Sequence, residues 1–301
     1  MIIVVVGPTA VGKSTLAVKL ATHYQTDVIS GDSVQVYKHM NIGTAKITPE
    51  ETNGIRHRML DILEPNEPFS VAEYQRLVRH HIDDLETQGN IPIIAGGTGF
   101  YVRAALHAYD FTGAHRPKRF DQHHAHLSNE ALHALLEEAD PTSARLIHHN
   151  NRVRVIQALY RAQEGEPRSE QTTASEPRYD YLMIGLDMDR STLYKRINNR
   201  VDAMVDQGLL EEVESLYLLY GDGPAFEAIG YKEIIGHLKG DYPLDTAIER
   251  IKTNTRRYAK RQLTFFKNQF DATWLAVNPD RFDDTVEEAI RLVERNKRSQ
   301  P

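Results

Sequence analysis

Residues 2 to 15 constrain this chain more than any other stretch. Five apolar residues, Ile2-Ile3-Val4-Val5-Val6, run into Gly7-Pro8-Thr9-Ala10-Val11-Gly12-Lys13-Ser14, which satisfies the G-x-x-x-x-G-K-[ST] phosphate loop at every position. Backbone N–H groups can converge on phosphate oxygens only where no Cβ blocks the turn, so the glycines are a physical requirement. The helix opening at Lys13 adds the positive end of its dipole. Lys13 itself supplies a point charge, and the Ser14 hydroxyl can hold a magnesium ion. Leu16, Leu20 and Tyr24 then recur on one helical face. At average residue usage the pattern arises in roughly one chain of this length in a hundred. A buried strand before it and an amphipathic helix after it lower those odds further. Gly7 to Ser14 are therefore expected to bind a diphosphate or triphosphate.

The same alternation continues. Asp27-Val28-Ile29-Ser30 is a second short buried strand, broken by Gly31-Asp32-Ser33. In an open α/β sheet ligands bind beyond the carboxyl ends of strands, so Asp32 should face the crevice of the phosphate loop. Residues 57 to 63 fit a third strand. Ser70-Val71-Ala72-Glu73 is a capping box, followed at helical spacing by Tyr74, Leu77, Val78, Ile82 and Leu85 until Gly89. Ile91-Pro92-Ile93-Ile94-Ala95 is a strand running into a second glycine-rich loop, Gly96-Gly97-Thr98-Gly99. Strand and helix in alternation imply a parallel sheet covered on both faces.

Near Thr112 the texture changes. Leu127, Leu132, Leu135 and Leu136 fit one helix, Asp140-Pro141 is an N-cap with Pro at N1, and Val153, Ile156 and Leu159 fit another. The expectation is a P-loop NTPase-like α/β core of residues 1–112 and 180–301, interrupted by a small all-helical domain at 113–179. Gly165 to Pro177 should be a polar linker. Eight of the fourteen histidines fall between His107 and His149; lacking a helical i, i+4 pair or a nearby acid pair, they fit solvated surface better than a metal site. Tyr181 to Leu186 resumes the sheet. Leu193, Ile197, Val201 and Met204 form a helical stripe, with Arg196 and Arg200 on another face. Gly230 sits in what otherwise fits a helix, which suggests close approach of a backbone or ligand. Trp274 and Leu275 belong to a closing strand, and an amphipathic helix ends the chain.

With no cysteine the chain has no disulfide framework, no thiol nucleophile and no Cys-ligated zinc, which suits a reducing cytoplasm. The apolar start lacks a basic flank and is too short to span a bilayer, so a cytoplasmic protein with no membrane partner is expected. The net charge of −6 argues against a uniformly basic binding surface. Locally the balance reverses: residues 250 to 267 carry seven Lys or Arg and no acid.

A phosphate loop alone suggests a kinase or nucleotide hydrolase that binds ATP. Such an enzyme needs a second acid on magnesium, for which Asp61 and Asp187 are the candidates. The same cradle can instead hold a diphosphate leaving group with Asp32 beside it as general base.

Beyond the phosphate loop stand Asp32-Ser33-Val34-Gln35-Val36-Tyr37, Met40-Asn41-Ile42-Gly43-Thr44-Ala45-Lys46, Gly96-Gly97-Thr98-Gly99-Phe100-Tyr101, Ile229-Gly230-Tyr231-Lys232-Glu233 and Tyr258-Ala259-Lys260-Arg261-Gln262-Leu263-Thr264. Together and in this order they resemble the bacterial tRNA dimethylallyltransferase family from residue 2 to about residue 275. Gln157 and Tyr160 stand where that family usually has Arg and Glu, and Phe265-Phe266-Lys267 replaces a commoner Trp-containing ending.

The resemblance implies transfer of a dimethylallyl group from dimethylallyl diphosphate to N6 of adenine 37, next to the tRNA anticodon. It implies Asp32 as base, with Thr98 and Arg200 in the catalytic set and Mg2+ on Ser14 as cofactor. Ser33, Val34, Gln35 and Thr98, with Asp32, would hold the unstacked base. Arg152, Arg154 and Gln157 of the insertion, and Arg257, Lys260 and Arg261 of the basic helix, would grip the anticodon stem-loop. A prenyltransferase acting on free AMP, ADP or ATP and a small-molecule kinase are the alternatives. A monomer is the default expectation.

Overall fold

The computed structural model describes residues 1–109, 111, 116–167 and 176–298 of the chain. Contacts divide it into two units, residues 1–106 with 179–301, and residues 107–178. The expected boundary at 112 and most of the expected linker at 165–177 lie on or beside residues outside the described set.

In the larger unit the strands are β1 (Ile2–Val6), β2 (Val28–Ser30), β3 (His57–Arg58), β4 (Ile93–Gly96), β5 (Tyr181–Asp187) and β6 (Thr273–Ala276). Among the described residues these six form one parallel sheet in the order β3-β2-β4-β1-β5-β6. The helices of this unit are α1 (Lys13–Tyr24), α2 (Val71–Thr87), α3 (Gly99–Leu106), α8 (Arg190–Asp206), α9 (Leu209–Tyr220), α10 (Tyr231–Leu238), α11 (Leu244–Gln269) and α12 (Phe282–Arg298); α4 to α7 belong to the smaller unit.

β1 explains why both faces are covered. Ile2, Val4 and Val6 enter a core that includes Tyr74, Val213, Tyr231 and Phe266, while Ile3 and Val5 enter another with Leu16, Leu20, Ile197 and Ala289. All five strand residues are fully buried, as a continuous apolar run between two helical layers requires. The sheet thus presents its strand ends, and the loops after them, on one rim.

Three expectations in this unit need correction. The strand expected over residues 57–63 stops after Arg58, because Met59 (φ 69°) and Asp61 (φ 54°) are left-handed and turn the chain. Ile62 and Leu63 then donate their N–H groups to Val36 O at 2.8 and 3.1 Å. Gly230 does not lie inside a helix: at φ 100° it is the N-cap of α10, and a Cβ there would lie 3.6 Å from Gly43 O. Finally, the strand expected from Ile91 begins at Ile93.

In the smaller unit α4 (Lys118–His124), α5 (Asn129–Ala139), α6 (Pro141–Leu146) and α7 (Arg152–Gln163) enclose their own core of Leu132, Leu136, Ala144, Ile147, Val155, Ile156 and Leu159. Asp140 caps α6 by accepting from Ser143 N at 3.0 Å, with Pro141 at N1. Leu127 lies in the turn between α4 and α5 rather than on the helix expected for it, because Ser128 caps α5 one residue later. Val153 also departs from the expected stripe. It is 72% exposed, while Val155 and Ile156 face inward.

Candidate active site

The phosphate loop leaves the end of β1 and is anchored by Ala10 and Val11, which are buried in the α1 side of the core. Ala10 is left-handed (φ 66°), and its carbonyl accepts Arg196 Nε at 2.9 Å, so one arginine of the α8 pair braces the loop. Thr9 N–H donates to Gln262 Oε1 at 2.8 Å. Lys13 Nζ donates to Pro8 O at 2.8 Å. Burial, and next the positive charge of Arg200, lower the Lys13 pKa from its ordinary value to about 7, while Asp32 pulls the other way. Arg200 and Asp32 are therefore each near enough to act on Lys13. The Arg200 pKa is itself lowered, first by the protein mass around its guanidinium and then by Arg196. Ser14, in the first turn of α1, is exposed.

Asp32 reaches this site because β2 and β4 end backbone to backbone. A Cβ on Gly96 would lie 2.3 Å from the Gly31 carbonyl, so only glycine permits the approach. Gly31 N–H donates to Ala95 O at 2.8 Å and Thr98 N–H to Gly31 O at 3.2 Å. The two loops are then joined through side chains: the Thr98 hydroxyl accepts Ser33 N–H at 3.2 Å and donates to Ser33 Oγ at 3.3 Å. Asp32 Oδ1 accepts from Val34 N at 2.8 Å and Gln35 N at 3.2 Å, an Asx turn that fixes the carboxylate. Its second oxygen has no protein partner among the described residues.

The structure adds residues that the sequence reading did not place in the site. Tyr258 contacts Thr98 and Gln262, and burial, then Asp32, push its hydroxyl up to about 12. Tyr101 is likewise pushed up to about 12, by burial, then Tyr37 and Asp32. Gln262 is buried and bridges the two glycine-rich loops, accepting from Thr9 N–H and donating to Gly97 O at 3.0 Å. The available signal was spacing. Tyr258 and Gln262 are four apart on α11, so they share a helical face.

The cations of α11 divide sharply. Lys252 pairs with Asp202 at 2.7 Å and Glu249 at 3.1 Å, Arg256 donates to Asn198 Oδ1 at 2.6 Å, and Lys267 pairs with Asp187 at 2.7 Å. Arg257, Lys260 and Arg261 are exposed and have no acidic partner among the described residues. With Thr264, Phe265, Asn268 and Gln269 they line an open groove of about 570 Å3. Positions 257, 260, 261, 264 and 268 recur at helical spacing, so the free cations lie on one face.

Both candidates for a second metal acid are ion-paired. Asp61 is held by Lys46 at 2.6 Å, and Asp187 by Lys267. No cluster of histidine and acidic side chains among the described residues is arranged to hold a metal ion.

Within the smaller unit, Arg152 turns inward. Its guanidinium donates to the carbonyls of His124 (2.7 Å) and Leu127 (2.8 Å) and to Asn129 Oδ1 (3.2 Å), closing the C-terminus of α4. Gln157 Oε1 accepts from Arg116 Nη1 at 2.9 Å. Arg154 and Arg145 are exposed and have no partner among the described residues. Of the three residues expected to touch RNA from this unit, Arg154 alone keeps its side chain free.

A phosphate loop on the first strand of a parallel sheet, with a carboxylate at the end of the second strand, makes this a P-loop α/β protein. The model of the IPP transferase family matches residues 35–269. The tRNA dimethylallyltransferase of Bacillus pumilus (strain SAFR-032) is 47% identical over 304 residues, covering 97% of this chain and 95% of the relative. A crystal structure of a tRNA delta(2)-isopentenylpyrophosphate transferase from Staphylococcus epidermidis is 41% identical with a TM-score of 0.73, covering 99% of both chains. A eukaryotic dimethylallyltransferase acting on tRNA superimposes with a TM-score of 0.87 at 28% identity, over 100% of this chain and 80% of that one. The chain belongs to the IPP transferase family.

Proposed function

We propose that the protein transfers the dimethylallyl group of dimethylallyl diphosphate to N6 of adenine 37, beside the anticodon of a tRNA, and releases diphosphate. The observation that carries this reading is the Asp32 carboxylate. One oxygen is pinned by two backbone N–H groups, the other is open, and the group lies within electrostatic reach of Lys13 in the phosphate loop.

An exocyclic adenine amine is a poor nucleophile because its lone pair is delocalised into the ring. As its nitrogen bonds to the allylic carbon, the carbon–oxygen bond to diphosphate breaks and Asp32 takes the N–H proton, which removes the developing positive charge. The phosphate-loop amides, Lys13 and Arg200 neutralise the departing diphosphate. Ser14, exposed at the mouth of the loop, would hold Mg2+ through its hydroxyl. When bound, the ion adds positive charge against the leaving group.

Thr98, Ser33, Val34 and Gln35 form the wall on which an unstacked base would rest. Arg257, Lys260 and Arg261 supply a locally positive groove on a chain of net charge −6, and Arg154 supplies a free cation on the insertion. A monomer in the cytoplasm fits this work. No helix among the described residues is long and apolar enough to cross a membrane.

The test is incubation with labelled dimethylallyl diphosphate and either unmodified tRNA or AMP. Label on tRNA at A37, with little on AMP, is the expected result. Equal or better labelling of AMP would replace the tRNA reading with free-nucleotide transfer, and consumption of ATP without prenyl transfer would replace it with a kinase.

A further inference from the structure

Glu212, in the first turn of α9, holds four donors. Oε2 accepts the N–H groups of Asn41 at 2.9 Å and Ile42 at 2.8 Å. Oε1 accepts Gly43 N–H at 3.0 Å and the buried Tyr231 hydroxyl at 2.6 Å. Three successive backbone N–H groups converging on one anion repeat the geometry by which loops bind phosphate, except that the anion here belongs to the protein.

The loop so held is closed on itself. Thr44 Oγ1 donates to Met40 O at 2.6 Å. Lys46, with a side chain 5% exposed, donates to Tyr37 O at 2.7 Å, Asn41 Oδ1 at 3.1 Å and Asp61 Oδ1 at 2.6 Å. Two of the loop's carbonyls face the active site, where Gln35 Nε2 donates to Thr44 O at 3.2 Å and Ala45 O at 3.4 Å.

Both amide hydrogens of Gln35 are thereby occupied, which decides the orientation of its carboxamide. Its Oε1 has one long contact, 3.5 Å from Ser30 Oγ, and keeps acceptor capacity three residues from Asp32. An oriented acceptor beside the base carboxylate suits the N–H edge of a purine. If the loop moved, the two carbonyls would leave, and the carboxamide could rotate and offer a donor instead.

We infer that Glu212 is a positioning residue for the target base, acting through the 41–46 loop on Gln35. The inference rests on the reading of Gln35 as a base-holding residue given above. A carboxylate is needed because both oxygens accept. In glutamine one of them becomes an NH2 that faces backbone N–H donors, so part of the clamp is lost and part turns repulsive.

A double-mutant cycle separates this role from plain support of the fold. Glu212→Gln is expected to lower kcat/KM for tRNA by about tenfold in the otherwise unchanged protein and by less than about twofold in a Gln35→Ala background. Inorganic diphosphate binding should stay within about twofold in both. Tyr231→Phe, which removes one of the four donors and keeps the buried ring, should lower kcat/KM about two- to threefold and lose that effect in the same background. It carries the cycle should Glu212→Gln fail to fold. Equal losses in both backgrounds would overturn the inference, as would full activity of a folded Glu212→Gln protein. Full activity of Gln35→Ala alone would instead overturn the base-holding reading on which the inference stands.

Discussion

Lys13 offers the sharpest quantitative test of the site. With its pKa near 7 in the free protein, about nine-tenths of the molecules hold a neutral Lys13 at pH 8. Binding of diphosphate places negative charge against the amine. One net unit charge at about 4 Å and an effective dielectric of about 20 is worth about 4 kcal/mol, or about three pKa units. The bound pKa should therefore rise to about 10. The protein then takes up about 0.9 protons per diphosphate at pH 8 and about 0.1 at pH 6. Affinity should weaken by up to tenfold per pH unit across the interval between the two pKa values, since only the protonated amine pairs with the ligand. Calorimetry in buffers of different ionisation enthalpy reads the proton count directly, and a Lys13→Met variant subtracts protons exchanged by diphosphate itself. If both proteins exchange the same number of protons at pH 8, Lys13 is not the group that burial and Arg200 hold near neutrality, and the account of the cradle fails.

The same shift carries a stability sign. A lysine depressed from 10.5 to about 7 binds fewer protons folded than unfolded between those values, so its cost is full below pH 7 and is relieved as pH rises towards 10.5. Lys13→Met should raise the melting temperature at pH 6 to 7, with a gain that shrinks by pH 9. Asp32→Asn should lower turnover by about 10² to 10⁴ while leaving diphosphate binding within about twofold, measured by single-turnover transfer. Gly96→Ala should cost about 2 kcal/mol or more in denaturant melts, because its Cβ would meet the Gly31 carbonyl at 2.3 Å. Replacing Arg257, Lys260 and Arg261 together by alanine should flatten the log–log salt dependence of tRNA binding by about 2 to 3, whereas Lys252→Ala, which removes an internally paired charge, should change the slope little.

What could be read from the sequence follows the range of the forces involved. The phosphate loop, the strand before it, the capped helix after Ser70 and the alternating βα pattern are local, set by neighbours within a few residues, and they stand where expected. Asp32 could be placed because its position at a strand end is also local. Residues 59–63 misled because their apolar spacing fits a strand while left-handed backbone at Met59 and Asp61 bends them towards Val36, a contact that spacing does not encode. The fate of each cation was equally hidden. Arg152 and Arg154 look alike in sequence, yet one closes a helix end and the other faces solvent. Glu212 lies more than 160 residues from the loop it clamps, so its role depends wholly on tertiary packing.

α11 shows why these two scales meet in one element. A helix of 26 residues exposes every side of itself along its length, and here the sides do different work. Tyr258 and Gln262 turn inward and join the phosphate loop to the Thr98 loop, so the conformation of both glycine-rich loops depends on the placement of this helix. Arg257, Lys260 and Arg261 turn outward as unpaired cations, where an RNA phosphate backbone would pull on the same helix. Spacing of three and four residues puts the two sets on adjoining faces, so any displacement of α11 on engaging RNA reaches the Thr9 amide through a single side chain. An acidic protein can therefore handle a polyanion without a broad basic surface. Pairing within the fold neutralises Lys252 and Lys267 and engages Arg256, and leaves positive charge concentrated beside the residues proposed to hold the base and the diphosphate.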